Sequence, residues 1–132
     1  MKQQIDDQTH IISKLISYAG STLKQTLPVI KNKFRDFPIC LLDYTENEKK
    51  ENLIEIRFDS EQATLSCMLN EDSTCNNSFL FFDQTEHLNE CINYLRTVYE
   101  YDYISCRWEL PVSYLSLEKA GRDICLFFYP KG

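Results

Sequence analysis

Two stretches of alternating apolar and polar residues, separated by only a short connection, constrain the fold of this chain more than any other feature. Ile54, Ile56 and Phe58 alternate with charged residues, which is the two-residue period of a strand with one buried face. Residues 63–69 repeat the alternation after the polar connection 59–62. A parallel partner would need a crossover of roughly a dozen residues or more, so the sequence predicts an antiparallel pair of strands here.

Further apolar segments are predicted as strands at residues 37–45, 79–82, 103–110 and 123–129. The last of these is apolar on both faces, which is typical of a strand in the interior of a sheet. The polar stretch 70–78 is predicted as a loop, and residues 112–120 as a short helix that ends at Gly121. Together these segments predict one antiparallel sheet of about five to six strands.

Two other segments have the spacing of amphipathic helices. In residues 3–33 apolar side chains recur mostly at steps of three and four, although Gly20 and Pro28 interrupt the pattern. A second helix, about 85–101, begins with Thr85 as its N-cap and carries a continuous apolar stripe. Because helices and strands are segregated along the chain, the sequence predicts an α+β fold with an N-terminal helix and this second helix packed on one face of the sheet.

The length and composition fit one domain, which we expect to span residues 1–132. Of the 132 residues, 43% are hydrophobic and 13% are aromatic, so the chain carries enough apolar surface to form a core. Asp6, Asp7 and His10 interrupt any apolar run that a secretory signal would need, and no stretch approaches the length of a membrane span. The sequence thus predicts a cytoplasmic protein that does not enter a membrane.

The six cysteines leave two interpretations open. An even number in a short chain is compatible with three disulfides, and residues 76–78 match a glycosylation acceptor. Against this, the cysteines are widely spaced, and Cys67, Cys91 and Cys106 fall on predicted apolar faces. Since no secretory signal is predicted, we expect reduced thiols that behave as small buried hydrophobes.

The sequence contains no motif that identifies a reaction. His87 and Cys91 lie four residues apart on the predicted helix, but the close ligand pairs of zinc sites are missing. Nucleophile elbows and phosphate-binding loops need glycines in clusters, whereas Gly20, Gly121 and Gly132 are isolated. We therefore expect no catalytic residues, no metal site and no cofactor, and a protein that is not an enzyme.

Charge is distributed unevenly along the chain, whose formal net charge is −6. Residues 1–42 contain six basic and three acidic residues, whereas residues 43–132 contain eight basic and seventeen acidic residues. No Lys or Arg occurs between Arg57 and Arg96. Such a negative surface repels nucleic acids and anionic membranes and speeds the encounter with basic proteins. The same pattern is also compatible with a solvated acidic surface that binds nothing.

These features predict a protein-binding domain whose acidic face engages a basic partner. An immunity-type inhibitor that neutralises a nuclease-type toxin, or a small chaperone that shields a basic client, would have this chemistry. Tyrosine side chains near the acids would add apolar contact area at low entropic cost. The residues predicted to contact the partner are Asp59, Glu61, Glu71, Asp72, Glu86, Glu90, Tyr94 and Tyr101.

Two other classes of function remain open. A small-molecule sensor or small enzyme would have a pocket between helices and sheet, and the aromatic residues considered for its lining are Phe79, Phe81, Phe82, Trp108, Phe127 and Phe128. An oligomeric scaffold would pair an exposed sheet edge with another chain. The oligomeric state does not follow from the sequence.

Overall fold

The computed structural model describes residues 2–46 and 49–131, with side chains at residues 9–42 and 52–131. The helices are α1 (Lys2–Ser21), α2 (Leu27–Lys33) and α3 (Thr85–Val98). The strands are β1 (Ile39–Glu46), β2 (Lys49–Phe58), β3 (Ala63–Leu69), β4 (Cys75–Phe82), β5 (Glu100–Asp102), β6 (Arg107–Glu109), β7 (Ser113–Ala120) and β8 (Asp123–Pro130).

All eight strands belong to one antiparallel sheet with the order β1-β2-β3-β4-β8-β7-β6-β5. The α+β class and the antiparallel pairing of β2 with β3 are confirmed. The predicted size of the sheet, about five to six strands, is wrong because β5 and β7 also join it. Strand β8 lies between β4 and β7, as its two apolar faces indicate.

Residues 112–120 were predicted as a helix, but Ser113–Ala120 form strand β7. Leu115 pairs with Phe128 and Leu117 with Leu126, so pairing with β8 decides the structure of this segment. Gly121 does not cap a helix. It is the first of two turn residues between β7 and β8 and has a φ of +64°, as in a type II′ hairpin turn.

We expect Gly121→Ala to destabilise the protein by about 1 kcal/mol. An added Cβ would meet no atom within 4 Å, so the cost comes from the positive φ alone. Gly20→Ala is the matched control, since Gly20 lies in α1 with equally open space around it. Alanine there should stabilise by about 0.5–1 kcal/mol. Urea denaturation checks both values, and shifts of the same sign would contradict this view of the hairpin.

Two other predicted boundaries are wrong for local reasons. The second helix ends at Val98 rather than about 101, because Glu100–Asp102 pair with β6. The strand predicted at 103–110 is reduced to Arg107–Glu109, and Cys106 before it has a φ of 54°. The N-terminal helix predicted at 3–33 is divided where Gly20 and Pro28 interrupt the pattern: α1 ends at Ser21, and Pro28 lies in the first turn of α2.

The loop predicted at 70–78 is shorter, since β4 begins at Cys75. The polar residues 46–52, between the segments predicted as strands at 37–45 and 54–58, are largely strand, and residues 47–48 lie outside the described residues.

The core lies between the helices and one face of the sheet, called here the helix-covered face. Ile54, Leu65 and Leu80 project from this face and are fully buried with Leu15 of α1 and Leu95 of α3. At one end, Phe58 contacts the rings of Tyr18, Phe34 and Phe37. The opposite face, called here the open face, carries no helix of the described part. No described helix has the length and apolar character needed to cross a membrane.

Candidate functional site

The open face carries a row of half-buried aromatic side chains from three neighbouring strands. The row consists of Phe81 and Phe79 of β4, Phe127 and Tyr129 of β8, and Tyr114 of β7. Phe79 pairs with Phe127, and Tyr129 with Tyr114, so the side chains of each pair share a face. We call these five residues the aromatic row.

The rings of the aromatic row form a continuous series. Ring centroids are 6.5 Å apart for Phe79 and Phe81, 4.8 Å for Phe79 and Phe127, 5.2 Å for Phe127 and Tyr129, and 5.6 Å for Tyr129 and Tyr114. Each ring therefore holds the next one in place, and the row presents a pre-ordered apolar surface. A surface of this kind can bind apolar or aromatic groups with little loss of side-chain entropy.

Arg107 closes the row at the β6 side. Its guanidinium carbon lies 3.5 Å from the ring centroid of Tyr114, and its NH1 donates to the hydroxyl of Tyr129 at 3.2 Å. Its Nε is buried and has no hydrogen-bond partner among the described residues.

A groove of about 340 Å³ runs beside the aromatic row and is almost wholly apolar. Leu53, Met68 and Phe81 line it together with Ala120. Ala120 belongs to β7, which is three strands away from Met68 in the sheet order. A cavity shared by such distant strands means that the sheet curves around its open face.

The carboxylates on the open face exceed the available cations. Glu55, Glu100 and Glu118 have no ion pair among the described residues, although Glu118 accepts a hydrogen bond from the Ser116 hydroxyl. Lys131 is already bound to Glu109 at 2.9 Å. The open face thus combines apolar rings with unneutralised negative charge.

Arg57, a base on the open face, is also engaged. Its guanidinium binds both carboxylate oxygens of Asp83, at 2.9 and 2.6 Å, and one oxygen of Asp59 at 3.1 Å. These contacts raise the pKa of Arg57, and the guanidinium holds the pKa of Asp83 below its usual value. Arg57 therefore offers no free charge to an anionic partner.

The acids predicted to contact a partner do not form one patch. Glu61 and Glu90 line the same small cavity beside His87. Glu90 and His87 belong to α3, and Glu86 lies on the first turn of that helix. The turn that holds Asp59 and Glu61 is close by, since the amide of Asp83 donates to the carbonyl of Gln62 at 2.9 Å. Asp59, Glu61, Glu86 and Glu90, with Asp83, are called here the acidic end.

Glu71 and Asp72 lie at the opposite end of β3, roughly 20 Å or more away for a strand of this length. Asp72 accepts a hydrogen bond from the amide of Thr74 at 3.1 Å, and Thr74 bridges to Thr26 before the basic helix α2. This pair of acids therefore faces a different part of the molecule.

Several acids of the acidic end already have a cation. Lys14 binds Glu61 at 3.2 Å, and the Glu61 side chain is only 12% exposed. Asp59 and Asp83 share Arg57, as described above. Much of the local negative charge is thus compensated within the protein.

The two predicted tyrosines lie on different elements. Tyr94 is half-buried in a shallow cavity between α1 and α3, which Thr9 and Glu90 also line. Tyr101 is in β5, and its ring meets that of Trp108 edge-on at 4.8 Å. They do not share a helical face, because α3 ends before Tyr101.

A large cleft of about 1080 Å³, called here the α3 cleft, lies between the end of α3 and strands β5 to β7. The six aromatic residues named above as candidates for a pocket between helices and sheet do not surround the α3 cleft. Phe79, Phe81 and Phe127 are on the open face, and of the remaining three only Trp108 lines this cleft.

The cysteines are free thiols in this structure. Cys67 and Cys91 are buried as predicted, but the prediction for Cys106 is wrong, because Cys106 lies in an exposed turn. Cys75, Thr22 and Ser78 form a buried polar cluster that joins α1 to β4. In the part of the chain described, no group of three or more His, Cys, Asp or Glu side chains is placed to hold a metal ion.

Sequence reasoning missed the open face, although a signal was present. Residues 79–82 and 123–129 are both apolar on two faces, whereas the helices cover only one face of the sheet.

Comparison with known proteins finds no matching family model, no matching curated protein and no matching solved structure. A proposal about function must therefore be argued from the surfaces and cavities described above.

Proposed function

We propose that this chain is a non-enzymatic protein-binding domain whose open face binds a basic partner protein. The observation that carries the proposal is the aromatic row, which lies on a curved sheet face that no described helix covers. Exposed apolar areas with a polar rim are typical of protein-binding surfaces.

The chemistry of the partner follows from the groups that surround the row. Glu55, Glu100 and Glu118 offer carboxylates that have no ion pair among the described residues. Arg57 and Lys131 are held by carboxylates of the protein itself, and the guanidinium of Arg107 is stacked on the Tyr114 ring. Lysine or arginine side chains beside apolar anchors would complement this face. A nuclease-type toxin and a shielded basic client are partners of this chemistry.

The acidic end has a secondary part in this proposal. Glu86 is exposed, whereas Glu61 and Asp59 are paired with Lys14 and Arg57. Charges compensated within the protein steer association more weakly than unpaired ones. We therefore place the main contact on the aromatic row and assign long-range attraction to the acids.

We expect a Phe79→Ala, Phe127→Ala double variant to weaken partner binding by about a thousandfold, since central aromatic anchors each contribute about 2 kcal/mol, or about thirtyfold. The wild-type chain, tagged in its native cell, would be used to isolate a stoichiometric basic protein. The affinity of that purified protein for each variant is then measured by calorimetry, after circular dichroism has verified folding.

The matched control is Tyr103→Ala, Ile104→Ala, which removes the most exposed apolar side chains outside the open face. It should bind the partner as the wild type does.

The double variant Glu55→Lys, Glu118→Lys should slow association at low salt more than the double variant Glu71→Lys, Asp72→Lys does. If the partner bound the Phe79→Ala, Phe127→Ala variant with unchanged affinity, the assignment of the binding site to the open face would be overturned.

A further inference from the structure

The α3 cleft contains hydrogen-bond donors that lack acceptors. Trp108 is only 3% exposed, and its Nε1–H has no acceptor among the described residues. Arg96 on the last turn of α3 also lines the cleft and has neither an ion pair nor a hydrogen bond in the described part. Indole and guanidinium groups can only donate hydrogen bonds, and the guanidinium of Arg96, which is exposed to solvent, is free to bind an anion in the cleft.

Aromatic rings form much of the wall of the cleft. Tyr99, Tyr101 and Tyr103 line it with Trp108. Tyr101 meets Tyr103 edge-on at 5.0 Å and Trp108 at 4.8 Å. The hydroxyls of Tyr99 and Tyr101 are protonated at neutral pH, as those of tyrosine ordinarily are, and burial raises the pKa of each further. The wall therefore offers flat apolar surfaces together with further donors.

We propose that the α3 cleft is a binding site for a small planar aromatic acid, whose ring packs among the tyrosines and Trp108 and whose carboxylate is bound by Arg96. The volume of about 1080 Å³ admits a ligand of this size without a change in the fold. This site is distinct from the open face and does not depend on the protein-binding proposal.

A cationic ligand fits the cleft less well. Glu100 is the one carboxylate among the described residues that line it. Glu100 pairs with Glu109, next to Tyr101 in β5, so its side chain projects towards the opposite face of the sheet from the Tyr101 ring. A cation among the rings would thus lack a counter-charge within the cleft and would lie near Arg96.

The single tryptophan of the chain makes the proposal directly testable. In ¹⁵N-labelled protein, the one indole Nε1–H resonance belongs to Trp108. We expect a saturable shift of this resonance on titration with sodium 2-naphthoate. The neutral analogue 2-naphthylmethanol and the cation 2-naphthylmethylammonium should bind at least about tenfold more weakly, since they lack the ion pair with Arg96.

Arg96→Gln should weaken binding of 2-naphthoate by about tenfold, while Arg122→Gln, in the exposed β7–β8 turn, should leave it unchanged. The folded spectrum of each variant excludes loss of structure as the cause. The proposal would be overturned if 2-naphthoate gave no saturable shift of the Trp108 resonance. It would also be overturned if the ammonium analogue bound as tightly as 2-naphthoate, or if Arg96→Gln bound 2-naphthoate with unchanged affinity.

Discussion

Replacing Phe58 by alanine is expected to lower the free energy of unfolding by about 3–5 kcal/mol. Phe58 is 1% exposed and lies at the end of β2, where it links the sheet to both N-terminal helices. Its ring stacks on Tyr18 at 5.5 Å and meets Phe37 edge-on at 4.9 Å and Phe34 at 6.0 Å. Truncation removes three ring contacts at once and leaves a cavity among rings that cannot all move in to fill it.

Urea denaturation measures this loss, and Phe58→Leu should cost less than the alanine variant, because leucine fills part of the space. Tyr103→Ala is the control for removing a ring without creating a cavity, since Tyr103 is 85% exposed. It should change stability by no more than about 0.5 kcal/mol. A Phe58→Ala variant as stable as this control would show that the ring cluster does not hold the helices to the sheet.

The thiols are expected to divide into two reactive and four protected groups in the native protein. Cys40 and Cys106 are exposed, whereas Cys67, Cys75, Cys91 and Cys125 are buried. Reaction at a buried thiol requires local opening, which in a core costs about 4 kcal/mol or more and slows the reaction by about a thousandfold. Titration with an aromatic disulfide reagent, followed by peptide mapping, measures both the number and the position of reactive thiols.

Differences in thiol ionisation sharpen this experiment. Burial raises the pKa of Cys91 to about 12 and that of Cys125 to about 11, so both thiols stay protonated at neutral pH. Hydrogen bonds with Cys67, Ser78 and Thr22 lower the pKa of Cys75 below the usual value of a thiol, so Cys75 would react faster than the other buried thiols if reagent reached it. Protection of Cys75 therefore reports burial alone, and its rapid labelling in folded protein would contradict the structure.

The parts of the fold that local pattern determines were predictable. Strands β2 and β3 combine clear alternation with a polar turn, and both signals lie within a few residues. Strand β7 was not predictable in this way, because the burial of Leu115 depends on its pairing with Phe128. The end of α3 was missed for the same reason: Glu100–Asp102 leave the helical pattern only because β6 is there to pair with them.

In the candidate sites, too, some features follow from local sequence and others depend on the pairing of distant strands. The nearness of Glu61 and Glu90 follows from the order of elements, whereas Glu71 lies at the other end of β3 from them. The aromatic row joins Phe79 to Phe127, which are distant in sequence and meet only because β8 enters the sheet beside β4. No local pattern carries that information, so the sequence indicated these phenylalanines as candidates for a pocket between helices and sheet, but not their joint position on the open face.

The position of β8 also has a consequence for how the chain is made. Seven strands precede β8 in the sequence, yet β8 lies in the middle of the sheet. The edge of β4 thus has no partner while the ribosome adds the roughly forty residues that separate the two strands, a delay of about 2–8 s. During that time the nascent sheet exposes an apolar edge that invites pairing with other chains, so the yield of folded protein should depend on translation speed and on chaperones at the ribosome exit.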